Sequence, residues 1–181
     1  MRPTIETPRL ILRPFTREDA PIACRVATEP HVREWMADWD DSLIDSFIDQ
    51  YDRATRDSML LMLAITDRET GEYMGLCGVG HIGHQELFGS EVEIGYHLSS
   101  RFTGKGYMTE AVEALSRWTL QTFGYDYLIA VVEPGNLPSQ RVVERAGYRR
   151  HSVRVVPGGD GKPDKTYLCY HLDRLGETEG N

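Results

Sequence analysis

Between Ser90 and Phe123 the chain passes from an alternating segment through a glycine-rich turn into a long amphipathic segment, the stretch around which the rest of the chain is organised. As a strand, Glu91-Val92-Glu93-Ile94-Gly95-Tyr96-His97-Leu98 sets Val92, Ile94, Tyr96 and Leu98 on a core face and Glu91, Glu93 and His97 on a polar one. Arg101-Phe102-Thr103-Gly104-Lys105-Gly106 follows. From Tyr107 the apolar positions Met108, Ala111, Val112, Leu115, Trp118 and Phe123 recur near a 3.6-residue period and predict a helix. The first N–H groups of a helix lack partners within it and carry partial positive charge, so a glycine turn entering one can cradle a phosphate. Arg101 and Lys105 add charge of the matching sign. A tight connection with no ligand is the competing reading of the same glycines.

Two common phosphate cradles are disfavoured. Lys105 is followed by Gly106 where a P-loop needs Ser or Thr, and Thr109 stands at the third glycine of the dinucleotide-binding pattern. Lys plus Arg number 20 against 28 Asp plus Glu, a net charge of −8, which argues against nucleic acid or an anionic membrane as partner. Cys24, Cys77 and Cys169 are odd in number and scattered, so neither a disulfide framework nor a cysteine metal motif is implied and a reducing compartment is expected. The longest apolar run, Met59 to Ile65, is too short to cross a bilayer and the start lacks a leader pattern, so a soluble, cytoplasmic protein is expected. Its 181 residues suit one domain, with a core over about 7–172 and a frayed polar tail at 176–181.

Arg101-x-x-Gly104-x-Gly106, between a strand and a long helix, resembles the Q/R-x-x-G-x-G/A acetyl-coenzyme A signature of the GNAT N-acetyltransferases. Glu6-Thr7-Pro8-Arg9-Leu10-Ile11-Leu12-Arg13-Pro14-Phe15 and Glu93-Ile94-Gly95-Tyr96 resemble the branch of that family containing bacterial ribosomal-protein N-terminal acetylases. So does Glu133-Pro134-Gly135-Asn136-x-x-Ser139 followed by Ala146-Gly147-Tyr148. The resemblance implies a mixed α/β domain with a twisted, mostly antiparallel sheet splayed at its centre and helices on both faces. It also implies acetyl-coenzyme A as donor and an amine as acceptor, either a protein N-terminus such as that of a ribosomal protein or a small amine. A non-catalytic acyl-coenzyme A binder or sensor and a nucleotide-binding module are the alternatives. The oligomeric state stays open, a homodimer included.

Along the chain, Leu10 to Phe15 reads as a strand, Thr16 with Asp19 as the cap of a helix over Glu18 to Thr28, and His31 to Asp41 as a loop carrying Trp35, Met36 and Trp39. Those aromatics either plug the core or line a pocket, and in the resembling family this region overhangs the acceptor. A second helix is expected from Asp41-Ser42 to Arg56, then a hairpin of Met59–Ile65 and Tyr73–Val79. His81 and His84, with Glu86, would point to opposite sides of an extended chain, so no metal is expected. Tyr127–Val132 reads as a covered strand, Asn136–Ala146 as a short helix, and Arg149–Val156 with Lys165–Leu172 as a closing hairpin.

Acetyl transfer from a thioester to an amine requires that the amine lose its proton, that the charged oxygen be stabilised and that the departing thiolate be protonated. By the resemblance, Glu93 is the candidate base, acting directly or through water, with Glu91 one pleat away as its competitor. Many family members use a Tyr seven positions after the Asn that leads the short helix, but here that position is Val143. In the branch resembled, a hydroxyl three positions after the Asn lies near the sulfur. That residue is Ser139, whose competing role is to cap the helix start. The resemblance further implies that the backbone of Tyr96, His97 and Leu98, beyond a bulge, bonds the pantetheine arm. It assigns the pyrophosphate to the amides from Phe102 through Thr103, Gly104, Lys105 and Gly106 to Tyr107, with Met108 also on the cofactor side. Asn136 is either a cap or a partner of the arm, and Trp35, Trp39 and Glu91 fall on the acceptor side.

Overall fold

The computed structural model describes residues 3–35, 61–80, 91–157 and 163–174. Eight strands form one sheet: β1 (Ile5–Glu6), β2 (Leu10–Pro14), β3 (Leu61–Asp67), β4 (Tyr73–Gly80), β5 (Glu93–Leu98), β6 (Tyr127–Val132), β7 (Arg149–Val156) and β8 (Lys165–Asp173). Their order is β1-β2-β3-β4-β5-β6-β8-β7. Every neighbouring pair is antiparallel except β5 with β6, which run parallel and share the single register pair Glu93 with Ile129. Beyond that pair the two strands part, so the sheet is splayed at its centre as expected.

Helices cover both faces. On one, α3 (Tyr107–Phe123) lays Met108, Ala111, Val112, Leu115 and Leu120 against Leu10, Leu12, Leu63, Ile65, Met74 and Leu128, and α4 (Leu137–Arg145) adds the fully buried Val143. On the other, α1 (Ala20–Ala27) packs Ala20, Ala23 and Val26 with Phe15, Met62, Ala64 and Leu76. Burying each large aliphatic side chain stabilises the fold by roughly 1.5–3 kcal/mol, so the continuous stripe of α3 fixes that helix firmly beneath the sheet.

Three expectations need correction. The face of β5 carrying Glu93 and His97 is not open to solvent: both residues are only 7% exposed. Alternation locates two faces but not water, and here both faces of the strand lie inside the molecule. The stretch read as a loop from His31 begins as a short helix, α2 (Pro30–Arg33), because Pro30 serves as a first helical residue instead of a breaker. No bulge interrupts β5, whose register with β4 runs unbroken from Glu93 to Leu98. Gly75 makes that close approach possible, since a Cβ there would meet the His97 carbonyl oxygen at 2.3 Å. The expected helix from Asp41 to Arg56, the start of the Met59 strand, Met36, Trp39, His81, His84, Glu86 and the tail at 176–181 lie outside the described residues.

Thr16 and Asp19 pair as read, with the Thr16 amide donating to Asp19 Oδ2 at 2.9 Å. Asp19 also accepts two hydrogen bonds of 2.7 Å from the Arg13 guanidinium, tying β2 to α1. Burial opposes its charge, but Arg13 and Thr16 outweigh that cost and hold its carboxyl below the usual range. A depressed carboxyl contributes stability that is present above its unfolded value and lost as pH falls through the folded one. Asp19→Asn is therefore expected to destabilise the protein by about 2 kcal/mol at neutral pH, with the deficit shrinking below about pH 4 in denaturant titrations. An equal deficit at every pH would contradict this linkage.

Candidate active site

A cleft of about 730 Å³ is bounded by β5, the turn into α3 and the first turn of α4, with α2 across from them. Tyr96, His97 and Leu98 form one wall, Thr103, Gly104, Gly106 and Tyr107 one end, and Asn136, Ser139 and Val142 another side. At the turn, Gly104 and Gly106 adopt φ of +75° and +79°, a left-handed conformation that other residues rarely adopt. Gly106 is the residue before the helix and no side chain caps it, so the first-turn amides of α3 remain for a ligand. Glycine conformation, uncapped amides and an adjoining slot fit a narrow molecule that carries a pyrophosphate.

The charges around this turn differ from the sequence reading. Arg101 bonds Glu72 at 2.7 Å and lies over the Phe102 ring, and the Lys105 ammonium donates to the Arg101 carbonyl at 3.2 Å. Arg9, which no local pattern connects with the turn, is the residue that ties the turn down. Its guanidinium donates to the Lys105 carbonyl at 3.0 Å, covers the Tyr107 ring at 4.5 Å and bonds Glu110 at 2.6 and 2.7 Å. Glu110 also accepts from the Thr7 hydroxyl at 2.7 Å. Burial raises the cost of the Glu110 charge, but Thr7 and Arg9 hold the carboxyl below its ordinary range. The β1–β2 corner is thereby fastened to the start of α3.

Across the cleft, α2 is fixed by two clamps. Glu29 accepts from the Ser99 hydroxyl and the Ser100 amide, both at 2.8 Å, and the His31 ring lies 2.9 Å from the Leu98 carbonyl. Trp35 follows, and its indole sits 3.1 Å from where a Cβ on Gly135 would be, so the ring packs on bare backbone at the entrance to α4. Trp35 is accordingly a cleft residue; Trp39 lies outside the described residues.

The two faces of β5 separate the remaining candidates. Tyr96 points towards α4, where its hydroxyl lies 2.9 Å from Ser139 Oγ. Asn136 caps the short helix, accepting from the Ser139 amide at 3.1 Å, so Ser139 is not itself the cap. Glu93 and His97 occupy the opposite face, and Glu93 stands at the closed end, where β5 meets β6. It does not line the cleft. Burial pushes His97 down to about 4, which leaves its ring neutral at physiological pH. Glu91 accepts a 2.9 Å hydrogen bond from Tyr127, whose ring begins a stack with His171 and His151 at centroid spacings of 4.8 and 3.9 Å. No local sequence signal pointed to that stack, because its rings come from three strands. Among the described residues no cluster of three or more His, Cys, Asp or Glu could hold a metal, and no helix is long and apolar enough to cross a membrane.

Residues 9–149 match the model of the acetyltransferase (GNAT) domain. The protein is 28% identical over 175 residues to the uncharacterized N-acetyltransferase p20 of Bacillus licheniformis, covering 94% of this chain and 97% of that one. Its fold superposes with a TM-score of 0.77 on RimJ of Mycobacterium smegmatis, solved in complex with CoA-disulfide, at 22% identity and covering 95% of this chain and 86% of that one. A structure of a putative ribosomal-protein-serine acetyltransferase from Vibrio cholerae superposes equally well, TM-score 0.77, at 21% identity over 94% of this chain and 97% of that one. Sequence match and architecture agree with the glycine turn and its cleft, and the chain belongs to the GNAT acetyltransferase family, an N-acetyltransferase by that membership.

Proposed function

We propose that this protein transfers an acetyl group from acetyl-coenzyme A to a primary amine, with a protein N-terminus as the leading acceptor class. The observation that carries the reading is the cleft whose one end is the Gly104–Gly106 turn and whose wall is the parted strand β5. Likeness in fold to the Vibrio cholerae protein, named for a ribosomal-protein substrate, supports the choice of acceptor. Three free cysteines accord with a reducing, cytoplasmic setting, and residues 7–172 are taken as the one catalytic domain.

Acetyl-coenzyme A supplies the acyl group already activated as a thioester. The Phe102 and Thr103 amides already donate to the Ser99 and Ser100 carbonyls at 3.0 and 3.4 Å, so in this reading the amides from Gly104 to Met108 hold the pyrophosphate, with Arg101 and Lys105 as bordering cations and Arg9 keeping the turn in place. The backbone of Tyr96 and His97 lines the slot for the arm, Leu98 shares its carbonyl with His31, and Asn136 braces the far side. Glu93 takes the proton of the amine, directly or through water, from the face opposite Ser139. Because Glu93 stands at the closed end of the gap between β5 and β6 and does not line the cleft, the route through water is the one this geometry favours. Trp35 and Glu91 border the acceptor.

Gly106→Ala should weaken coenzyme A binding about tenfold in calorimetry, since a Cβ strains the left-handed turn by roughly 1–2 kcal/mol, while the fold persists. Arg9→Ala should weaken it similarly and also lower the melting temperature. Unchanged affinity in both variants would remove the turn as the pyrophosphate site. Acetyl-coenzyme A consumption against a panel of N-terminal peptides and small amines tests the activity itself, and Glu93→Gln is expected to lower turnover on the best acceptor by roughly two to four decades. Binding without turnover on every amine would favour a non-catalytic acyl-coenzyme A binder instead.

A further inference from the structure

The short helix α4 lacks the tyrosine that many relatives carry at the position of Val143, and that position is fully buried here. The structure nevertheless brings a phenol to the same helix from another element. Tyr96 rises from β5 with its hydroxyl 2.9 Å from Ser139 Oγ and 3.2 Å from the Ser139 carbonyl oxygen, and both residues line the cleft. Asn136 has taken over the cap, so the Ser139 hydroxyl is not spent on the helix start; its side-chain partner among the described residues is Tyr96.

We propose that Tyr96 is a positioning residue for Ser139, donating its hydroxyl proton to Ser139 Oγ so that the serine proton is aimed at the sulfur of coenzyme A. The proposal rests on the acetyl-transfer reading above and adds to it a role for a side chain that the reading uses only through its backbone. A serine hydroxyl has one proton and can turn freely about its C–O bond. The phenol's one proton has two acceptors in reach, the Ser139 carbonyl at 3.2 Å and Ser139 Oγ at 2.9 Å; when it goes to the nearer Oγ, the serine cannot return its own proton to the phenol, and that proton is left for an acceptor within the cleft. Burial, despite the Ser139 contact, pushes the Tyr96 phenol well above its ordinary value, which suits a group that keeps its proton and orients its neighbour.

The proton account closes without ionising either hydroxyl. As the carbon–nitrogen bond forms and the carbon–sulfur bond breaks, the amine gives up one proton and the released thiolate finally gains one from solvent. Between those events Ser139 donates a hydrogen bond to the sulfur and Tyr96 fixes the direction of that bond. Stabilising the thiolate in this way must also lower the pKa of the coenzyme A thiol bound to the protein, a consequence that can be read without turnover.

The test is an ultraviolet titration of the thiolate in coenzyme A complexes of the full chain, after calorimetry has set saturating conditions for each form. In the wild type the bound thiol should titrate below the free value of about 8.5, and Tyr96→Phe and Ser139→Ala should each bring it back by about one pH unit. The double variant should go no further than Ser139→Ala, and Ser139→Thr, which keeps a hydroxyl, should stay near wild type. With an amine that turns over, Tyr96→Phe should lower kcat roughly tenfold and change KM for acetyl-coenzyme A less than twofold. A bound thiol that titrates alike in wild type and Tyr96→Phe overturns the proposal and leaves the acetyltransferase reading standing. Absence of coenzyme A binding in the wild type overturns both.

Discussion

The architecture turns on the fact that β5 and β6 meet at one register pair, Glu93 with Ile129, and then separate. Their other edges are fully used, since β5 pairs with β4 over six residues and β6 with β8 over six. Each strand is therefore held firmly on one side only. Polar backbone groups left without partners inside a protein cost free energy unless something bonds to them, so a parted pair of central strands is an incomplete sheet that a strand-like ligand can complete. An extended amide-bearing arm has that chemistry.

Holding the gap in register with the turn is the work of contacts distant in sequence. Arg9 and Glu110 are separated by 101 positions, yet their hydrogen bonds fasten the β1–β2 corner to α3 at the residue after its first amides. On the other side Glu29 and His31 fasten α2 to the end of β5. Both clamps are partly exposed, and neither is a large store of stability by itself. Their contribution is geometric: two walls, one end and one roof of the cleft are kept at fixed separations by charged side chains, while the apolar stripe of α3 provides the bulk of the binding between helix and sheet.

The elements legible in the sequence were those with a strong local signature. Gly106 and Phe123 bracket α3 as the period of Met108, Ala111, Val112 and Leu115 predicts, and Tyr127–Val132 and the closing hairpin fall where their apolar runs end. The glycine turn was legible for the same reason, because the left-handed conformation leaves a residue-type mark. Glu93 was legible as a candidate but its burial was not: alternation reports which side a residue faces and says nothing of what lies there. Arg9, the Tyr96–Ser139 contact and the Tyr127–His171–His151 stack were illegible because each depends on register between elements, which no single segment encodes. Asn136 and Ser139 show the middle case, where the sequence supplied two possible caps and only the geometry distributed the roles.

All of this requires that the parted strands and the glycine turn together receive coenzyme A. A crystal structure of the complex tests it most directly. The pyrophosphate is expected within hydrogen-bond distance of the amides between Gly104 and Met108, the arm beside Tyr96 and His97, and the sulfur next to Ser139 Oγ. Coenzyme A bound elsewhere, or lying with its pyrophosphate away from Gly104 and Gly106, would contradict it.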